Sequence, residues 1–473
     1  MAFKKKLHTC TPDRPPATIE TERSTTVRRR EPCDPRRLER GVREVLARKV
    51  SGNRVGLWLL VGEHLRLGTW DLLCGWTGRP GEEVEPRLAL QLVHEAALCV
   101  SGVRQRRCLT QKGFELLNGL PFVASDPAVH DLLDAHTMAE AQRLQLALGA
   151  LRRASGQFRG RRLAIDPHRV RSYSQRQMRQ RQAGPHHRPF KMAQTFFCLD
   201  ADTSQPVCFT TATAARSVSQ ATPELLRLAA AIVQPVPGQA LVLADTEHFT
   251  ADLIDHVHAD SPFDLLVPAP AQRHLQRRMQ AVPPDQFTPH WAGYATAEIP
   301  YQPVHGRTGP VRLLIQRTAE RPPEYRYNGF VATGHHDDVE LLTRDYPDRW
   351  HIEEFFNAYQ AMAWSRAGTM NLHIRYGQMT LALVAQGVIE PLRQRLGPPA
   401  ATWDAPHLAK DLFGGLEGDL RVRGDTIVVT YYNAPHVERL REHFEHLPAR
   451  LEREGIDPRV PWLYGLKVDF RFR

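Results

Sequence analysis

The sequence predicts an α/β fold with a mixed sheet between residues 156 and 396, preceded by an all-helical N-terminal domain. Three observations support this prediction. Apolar residues at helical spacing dominate residues 41–155, short apolar strands alternate with helices after Arg161, and residues 262–335 carry further strand-like runs among Pro and Gln. Strands that alternate with helices build sheets whose faces are covered by helices.

Residues 1–40 are rich in Pro, Thr, Arg and Lys, with basic runs at 4–6 and 28–30. This composition predicts a flexible basic arm. From 41 to 155 the spacing of residues such as Leu88, Leu92 and Val93 predicts helices, including a long amphipathic stretch near 127–153.

The predicted sheet strands are residues 163–165, 195–198, 207–210 and 241–244, and the predicted helices are 223–233 and 248–258. Runs at 295–300, 311–316 and 325–333 predict a β-rich insertion spanning 262–335. Helices are predicted at 345–363 and 371–396, followed by a C-terminal segment, 397–473, with a hairpin at 420–432 and a helix near 436–454.

The composition excludes several classes of protein. The chain of 473 residues has 42% hydrophobic and 24% charged residues, which is typical of a globular protein. No apolar run reaches the length of a membrane helix and no signal peptide is visible, so we expect a cytoplasmic protein. Seven cysteines without a CxxC pair argue against a disulfide scaffold and a cysteine zinc site.

Common catalytic motifs are also absent from the sequence. The sequence has no Walker A phosphate-binding loop and no G-x-G-x-x-G dinucleotide-binding loop. It also has no G-x-S-x-G elbow of the kind that carries a nucleophilic serine. His94-Glu95 begins like a zinc-protease helix, but the residue four positions after His94 is Leu98, so the second ligand is missing.

Three acidic residues stand out by their context. Asp166 and Asp245 each follow a short apolar strand, and Glu353 lies on the helix after the insertion. Tyr346, Arg349, Glu353 and Gln360 recur at helical spacing, so they are predicted to share one helical face. Trp350 and Phe356 are predicted to anchor that helix in the core. An ordinary amphipathic helix with an Arg–Glu pair is the alternative interpretation.

The Tyr346-x2-Arg349-x3-Glu353 pattern resembles the signature helix of bacterial insertion-sequence DDE transposases, in the subgroup defined by a Y-R-E-K helix. The order also resembles that family: an Asp after the first strand, an Asp after the fourth, an inserted β region, and then the Glu helix. The interval from Asp245 to Glu353 is long enough for that inserted region, and the resemblance covers about residues 155–396. Two departures are Gln360 in place of the family's lysine and the Thr246-Glu247-His248 run after Asp245, and Glu354 is a competing assignment for Glu353.

The resemblance implies an RNase H-like catalytic core in which Asp166, Asp245 and Glu353 are the catalytic metal ligands. Oxygen-only ligands suit two Mg²⁺ ions, for which Mn²⁺ would substitute. The implied reaction is DNA cleavage at terminal inverted repeats followed by attack of the freed 3′-OH on target DNA. Tyr346, Arg349 and Gln360 would contact DNA, the helical N-terminal domain and basic arm would read the DNA ends, and residues 397–473 are a candidate dimerisation segment. A homodimer in a synaptic complex, acting at the bacterial nucleoid and not at a membrane, is the expected assembly.

The charge distribution supports a nucleic-acid partner. The net charge is +10, and residues 152–191 contain twelve Arg or Lys but one acid, Asp166. Arg169, Arg171 and Arg176 are therefore predicted to contact phosphates near Asp166. A GC-rich genome accounts for the excess of arginine over lysine, but not for this clustering.

Two other functions remain open on the sequence alone. One is an RNase H-like nuclease that cleaves DNA without strand transfer. The other is a domesticated DNA-binding protein with an inactive core, against which the three intact carboxylates argue.

Overall fold

The computed structural model describes residues 35–52, 54–78, 84–100, 112–172, 180–182, 188–213, 215–362, 371–432 and 434–473. Most of the predicted basic arm, and the predicted phosphate contact Arg176, lie outside these residues. Among the described helices, none combines the length and the apolar composition that crossing a bilayer requires.

Within the described residues the strands, β1 to β15 in chain order, are Val50–Gly52, Arg162–Arg171, Gln180–Arg181, Phe190–Asp200, Gln205–Thr213, Leu241–Leu243, Asp264–Pro268, Thr288–Trp291, Tyr294–Tyr301, Val311–Thr318, Arg326–Ala332, Gly418–Arg423, Thr426–Tyr431, Arg459–Val460 and Leu466–Phe472. The α-helices, α1 to α16, are Pro35–Leu46, Val61–Leu67, Thr69–Thr77, Val84–Ala97, Lys112–Leu117, Asp126–Asp134, Met138–Ala154, Val218–Val233, Ala251–Asp260, Arg273–Gln280, Asp338–Glu340, His351–Tyr359, Leu372–Leu396, Ala405–His407, Val437–Phe444 and Leu447–Arg453. Short 3₁₀ and π turns join several of them.

The described residues divide into two compact units. Those of Arg152–Val170 and Arg176–Asn357 form one, here called the mixed-sheet unit. Those of Asp13–Leu151, Arg171–Gln175 and Ala358–Arg473 form the other, here called the terminal unit.

The mixed-sheet unit is built on three parallel strands. β6 lies between β2 and β7 and is parallel to both. β4 lies on the other side of β2, and β5 pairs with β4 as an antiparallel hairpin. The apolar segments of the parallel strands are buried, as expected for strands covered by helices on both faces. This arrangement confirms the predicted α/β fold with a mixed sheet.

Helix α8 follows the hairpin and begins at a capping box formed by Ser217 and Gln220. It buries an apolar side that includes Leu225, Leu226 and Ala229. The cap fixes where the helix starts, and the apolar side holds it against β4 and β5.

The β-rich insertion extends the same sheet rather than forming a separate one. β11 pairs antiparallel with β7, and β10, β9 and β8 continue outward in that order. The predicted strands at 295–300, 311–316 and 325–333 correspond to β9, β10 and β11. The predicted insertion boundary differs, because β7, within 262–335, is the third parallel strand of the core.

The terminal unit combines segments from the N-terminal and C-terminal parts of the chain. Its sheet has the order β1-β12-β13-β15-β14, and β1 from the N-terminal part pairs with β12 from the C-terminal part. Helix α13 is buried over most of its surface and packs against α4. The helical N-terminal segment and the C-terminal segment, predicted as separate domains, thus lie in one unit. The predicted hairpin around Gly424 is present, with the glycine at φ 61°.

Candidate active site

Asp166 and Asp245 lie at the same level of neighbouring parallel strands. Arg162 pairs with Leu241 and Ala164 with Leu243, and the same register continued along both strands brings Asp166 level with Asp245. Adjacent strands are about 4.8 Å apart, so this register places the two carboxyl groups side by side.

The two aspartates differ in how their strands end. Asp245 lies just beyond the end of β6, with Ala244 between them, whereas β2 continues beyond Asp166 to Arg171. The pairing of β2 with β6 nevertheless ends at Ala164, just before Asp166. Both carboxyl groups therefore lie where the two strands stop pairing with each other.

The sequence predicted a single helix around Glu353, but the segment that carries this residue has three parts. It begins as a π turn over Leu341–Asp345, tightens to a 3₁₀ helix over Tyr346–Trp350, and becomes α-helical only in α12. We call residues 341–359 the signature segment. Phe356 is buried as predicted, but Trp350 is 55% exposed and does not anchor the segment in the core.

The signature segment runs along β2 in the same direction as the strand. The contacts that show this are an ion pair between Arg162 and Asp348 at 2.5 Å and a ring contact between His168 and Phe356 with centroids 4.7 Å apart. Asp166 lies between the two contacting residues of β2, and Glu353 lies between the two of the signature segment. Glu353 is therefore brought to the level of Asp166.

The charges around Asp166 act on one another. Burial and the carboxylates of Asp245 and Glu353 raise the pKa of Asp166 to about 7, against the opposing effect of Arg349 and Arg169. Like charges raise a carboxyl pKa only when they are close. The three predicted acids thus form one electrostatic cluster, in which Arg349 donates to Glu353 through Nη2 at 2.8 Å.

Asp245 is held by two donors from the turn that follows it. Its Oδ1 accepts a hydrogen bond from the backbone N–H of Glu247 at 3.1 Å and lies 2.6 Å from Nδ1 of His248. Burial acts to raise the pKa of Asp245, but His248, Arg349 and the Glu247 N–H outweigh it and lower the pKa below its usual value. His248 is 1% exposed. Sequence analysis did not single out His248, although the Asp-x-x-His spacing at a strand end was its signal.

Comparison with known proteins identifies the domain that contains this cluster. The sequence profile of a family described as the transposase DDE domain matches residues 157–385. The chain carries a transposase DDE domain. This match supports a function in DNA transposition.

The other comparisons add little. No protein with a curated function matches the sequence significantly. Among solved structures, the chain is similar to a piggyBac transposase in a synaptic complex with hairpin DNA, with 9% identity, a TM-score of 0.40, and coverage of 77% of this chain and 82% of that chain. At that TM-score the likeness carries no argument about this chain.

Within the DDE domain, the predicted DNA-contacting residues occupy different environments. Tyr346 packs against the buried core and meets the ring of Phe330 edge to face at 4.9 Å, so burial raises its pKa. Arg169 contacts Glu247 at 2.5 Å and Gln194 at 3.1 Å. Arg171 is exposed at the end of β2. Gln360 lies one residue beyond α12, so it does not continue the helical face of Glu353 as predicted.

The donor chemistry of the DDE domain suits hard divalent cations, but not one ion held by all three acids. In the described part of the chain, no three His, Cys, Asp or Glu side chains converge closely enough to hold a metal ion together. The raised pKa of Asp166 means that a cation bound beside it would lower the cost of ionising the clustered carboxyl groups. A pair of ions would need only two of the three carboxylates each, with water and DNA oxygens completing the coordination.

Aromatic residues of the insertion are mostly part of its packing. Tyr294 and Tyr301 are buried, and Trp291 is 53% exposed with one face stacked on Tyr294 at 4.2 Å. Of these three rings, Trp291 alone presents a substantial face to solvent.

Proposed function

We propose that this chain is a DDE transposase that cleaves DNA at the terminal inverted repeats of its own element and joins the freed 3′-OH ends to target DNA. Asp166, Asp245 and Glu353 are the proposed catalytic residues and the ligands of two Mg²⁺ ions, with Mn²⁺ as a substitute. Bound there, the two ions would supply Lewis-acid activation of the attacking hydroxyl and stabilisation of the leaving 3′ oxygen.

One observation carries this proposal. The parallel register of β2 and β6 sets Asp166 beside Asp245, and the signature segment runs along β2 so that Glu353 influences the same carboxyl group. Three acids from distant parts of the sequence gain nothing for stability from this proximity, because their mutual repulsion makes ionisation more costly. A cluster of that kind in a cationic segment of the chain is the arrangement expected of a metal site that acts on phosphodiesters.

The neighbouring residues have distinct proposed roles. Arg349 keeps Glu353 and Asp166 from repelling each other in the free protein. Its guanidinium would turn to a phosphate oxygen when DNA binds. His248 occupies Oδ1 of Asp245, so that Oδ2 is the oxygen left for an ion. Tyr346 fixes the start of the 3₁₀ part of the signature segment against the core.

Further residues are proposed to contact DNA outside the carboxylate cluster. Arg169, Arg171, Arg176 and Gln360 would contact the DNA backbone, and Trp291 offers an aromatic face for a nucleobase. The active assembly is proposed to be a homodimer in a synaptic complex with two element ends. The N-terminal helices and basic arm are proposed to recognise the ends.

The decisive experiment separates transposase from nuclease. The full chain is incubated with Mg²⁺, a supercoiled target plasmid, and a duplex that carries the terminal sequence flanking its gene and ends in a 3′-OH. We expect covalent joining of the duplex to the plasmid, abolished by EDTA. Cleavage of an uncut terminal duplex without any joining would favour the hydrolytic nuclease, and specific binding with neither product would favour an inactive DNA-binding protein.

A further inference from the structure

The sheet of the terminal unit has one apolar face and one basic face. Residues that pair directly across strands lie on the same face, so the register groups them into rows. One face carries buried side chains such as Leu420, Val429 and Phe470. The other face, here called the basic face, carries Arg421, Arg423, Thr426, Thr430, Lys467 and Arg471, together with Asp419, Asp469 and the buried Val428.

The acid at one end of the basic face is already engaged. Asp419 accepts hydrogen bonds from Ser51 at 2.6 Å and Tyr432 at 2.7 Å. It also pairs with Lys49 at 2.7 Å. These contacts hold the carboxylate in its charged form, so it is not available to neutralise the arginines.

Two further acids on and beside the basic face are engaged in the same way. Asp425 pairs with Lys467 at 3.3 Å. Asp469 accepts a hydrogen bond from the backbone N–H of Leu447 at 3.1 Å. Each of these carboxylates therefore has a donor other than an arginine of the face.

Three arginines of the basic face have no carboxylate partner. Arg421, Arg423 and Arg471 are exposed, and among the described residues no carboxylate lies within ion-pair distance of them. An unpaired guanidinium gains most from an oxyanion that accepts two parallel N–H donors, as a phosphate does. The face thus presents a positive surface whose complement must come from another molecule.

The spacing of these cations suits a polymer of phosphates rather than a single ion. Arg421 and Arg423 are two residues apart on one strand, which is about 6.8 Å, and β15 lies two strands away, which is roughly 10 Å. On each strand of duplex DNA a phosphate recurs about every 3.4 Å along the axis, so a step of about 7 Å matches the backbone. The hydroxyl of Thr426 already donates to Asp425 at 2.9 Å, whereas that of Thr430 lies beside Arg471 and can donate to a phosphate oxygen.

A groove at the edge of the same sheet extends the basic face. It has a volume of about 630 Å³ and is bordered by Arg48, Lys49 and Lys112, with Glu44 as its acid. Lys49 reaches the basic face itself through its ion pair with Asp419. Because Lys49 is paired with Asp419 and Lys112 with Glu115, Arg48 is the cation of the groove that extends the positive surface across β1 in the described part of the chain.

We propose that the basic face binds the sugar–phosphate backbone of duplex DNA, as a DNA contact carried by the terminal unit. The choice of DNA as the polyanion rests on the proposed function. A second copy of this chain is a poorer partner, because the chain carries a net charge of +10. The contact is sequence-independent, since it addresses phosphates and not base edges.

The test measures DNA binding without chemistry. The full chain is titrated against a fluorescent 30-bp duplex of arbitrary sequence in EDTA, over a series of NaCl concentrations. The variant R421A/R423A is compared with R143A/R453A, which removes two exposed arginines elsewhere in the terminal unit. Thermal unfolding of both variants confirms that each retains its fold.

We expect R421A/R423A to flatten the slope of log K against log[NaCl] by about 2, since each phosphate contact contributes about 0.9. At about 0.1 M NaCl its affinity should fall by roughly tenfold or more, and R143A/R453A should stay within about twofold of the parent chain. Equal slopes for the two variants would overturn the inference. Unchanged DNA binding with loss of self-association in R421A/R423A would also overturn it, by making the face an interface between copies.

The outcome is separable from the proposed function. The variants D166N and D245N are expected to abolish cleavage while keeping the full salt slope, because they leave the basic face intact. A chain that shows the arginine-dependent slope but never cleaves or joins DNA would refute the proposed function and leave this inference standing.

Discussion

Nη1 of Arg162 lies 2.5 Å from Oδ2 of Asp348, which joins the first residue of β2 to the 3₁₀ turn that precedes α12. The same nitrogen lies 3.0 Å from Asp345, and the other side of the guanidinium contacts Asp202. Asp345 and Asp348 directly precede Tyr346 and Arg349. One arginine, shortly before Asp166 on the same strand, thus sets the position of the segment that delivers Glu353.

Replacing Arg162 by methionine is expected to slow DNA cleavage by about 10- to 100-fold at saturating DNA, because small displacements of a catalytic group cost about that much. The substitution keeps much of the length of the side chain but releases the turn. The matched control is R161A, which removes a neighbouring exposed arginine. Cleavage rates of R162M equal to those of R161A would show that the turn is positioned without Arg162.

The hydrogen bond between His248 and Asp245 predicts a change in metal requirement. Removing the imidazole in H248A leaves the Glu247 N–H as the remaining donor to Oδ1 and lets the carboxylate rotate more easily, and loss of such a supporting partner typically weakens metal binding by about 10- to 100-fold. We expect the Mg²⁺ concentration for half-maximal cleavage to rise by about that factor. His256, on the next helix, is the control position. If H248A cleaved more slowly at every Mg²⁺ concentration but needed the same Mg²⁺ concentration for half-maximal cleavage, His248 would not support Asp245 as a metal ligand.

The terminal unit contains a buried pair of histidines that must both be neutral. Nδ2 of Asn118 donates to the carbonyl of Phe114, so its Oδ1 accepts from Nδ1 of His94 at 2.6 Å. Nε2 of His94 is then the acceptor for Nε2–H of His64 at 3.1 Å, and Nδ1 of His64 accepts from Thr69. Burial lowers the pKa of His94 to about 4 and holds the pKa of His64 well below its usual value.

Because His64 and His94 must both be neutral in the folded protein, we expect the free energy of unfolding to decrease in mild acid. In the unfolded chain these histidines have a pKa of about 6.5, whereas in the folded protein their pKa values are much lower. The contribution of the neutral histidines to the free energy of unfolding is therefore intact above about pH 6.5 and is lost as the pH falls toward about 4. Between pH 7 and pH 5, His94 should account for about 2 kcal/mol of the decrease in the free energy of unfolding. Urea unfolding of H94Q at both pH values should therefore show a smaller decrease than the parent chain.

The control for this measurement is H258Q, because His258 is exposed. Its unfolding free energy should follow the same pH dependence as the parent chain. If H94Q and H258Q changed equally between pH 7 and pH 5, the neutral histidine pair would not be the source of the acid sensitivity.

Local patterns predicted much of the mixed sheet correctly. Apolar runs bounded by polar residues predicted the core of β2 and β6, but the alignment of Asp166 with Asp245 follows from strand pairing that the sequence does not display. β7 was missed because it lies beside a stretch rich in proline and glutamine. Only its pairing with β6 and β11 shows that it belongs to the core.

The sequence patterns predicted neither the pairing of strands distant in the chain nor the departures from a regular helix around Glu353. Val50–Gly52 pairs with Gly418–Leu420 from the opposite end of the chain, so no local signal could join the two segments. The spacing from Glu353 to Gln360 fits an ideal helix, but α12 ends at Tyr359. Trp350 looked like a core residue because it is aromatic, yet it lies on the solvent side of the 3₁₀ turn.

The most direct test of the account is single-turnover cleavage of a terminal duplex in Mg²⁺ by D166N, D245N, E353Q and E354Q. Glu354 is exposed beside Glu353, so E354Q makes the same chemical change without touching the carboxylate cluster. We predict that D166N, D245N and E353Q each lower the rate by about a thousandfold or more, as expected when a two-ion site loses a ligand, and that E354Q stays within about twofold of the parent chain. Near-normal cleavage by any of the first three variants, with DNA binding intact, would contradict the assignment of these acids as one catalytic site.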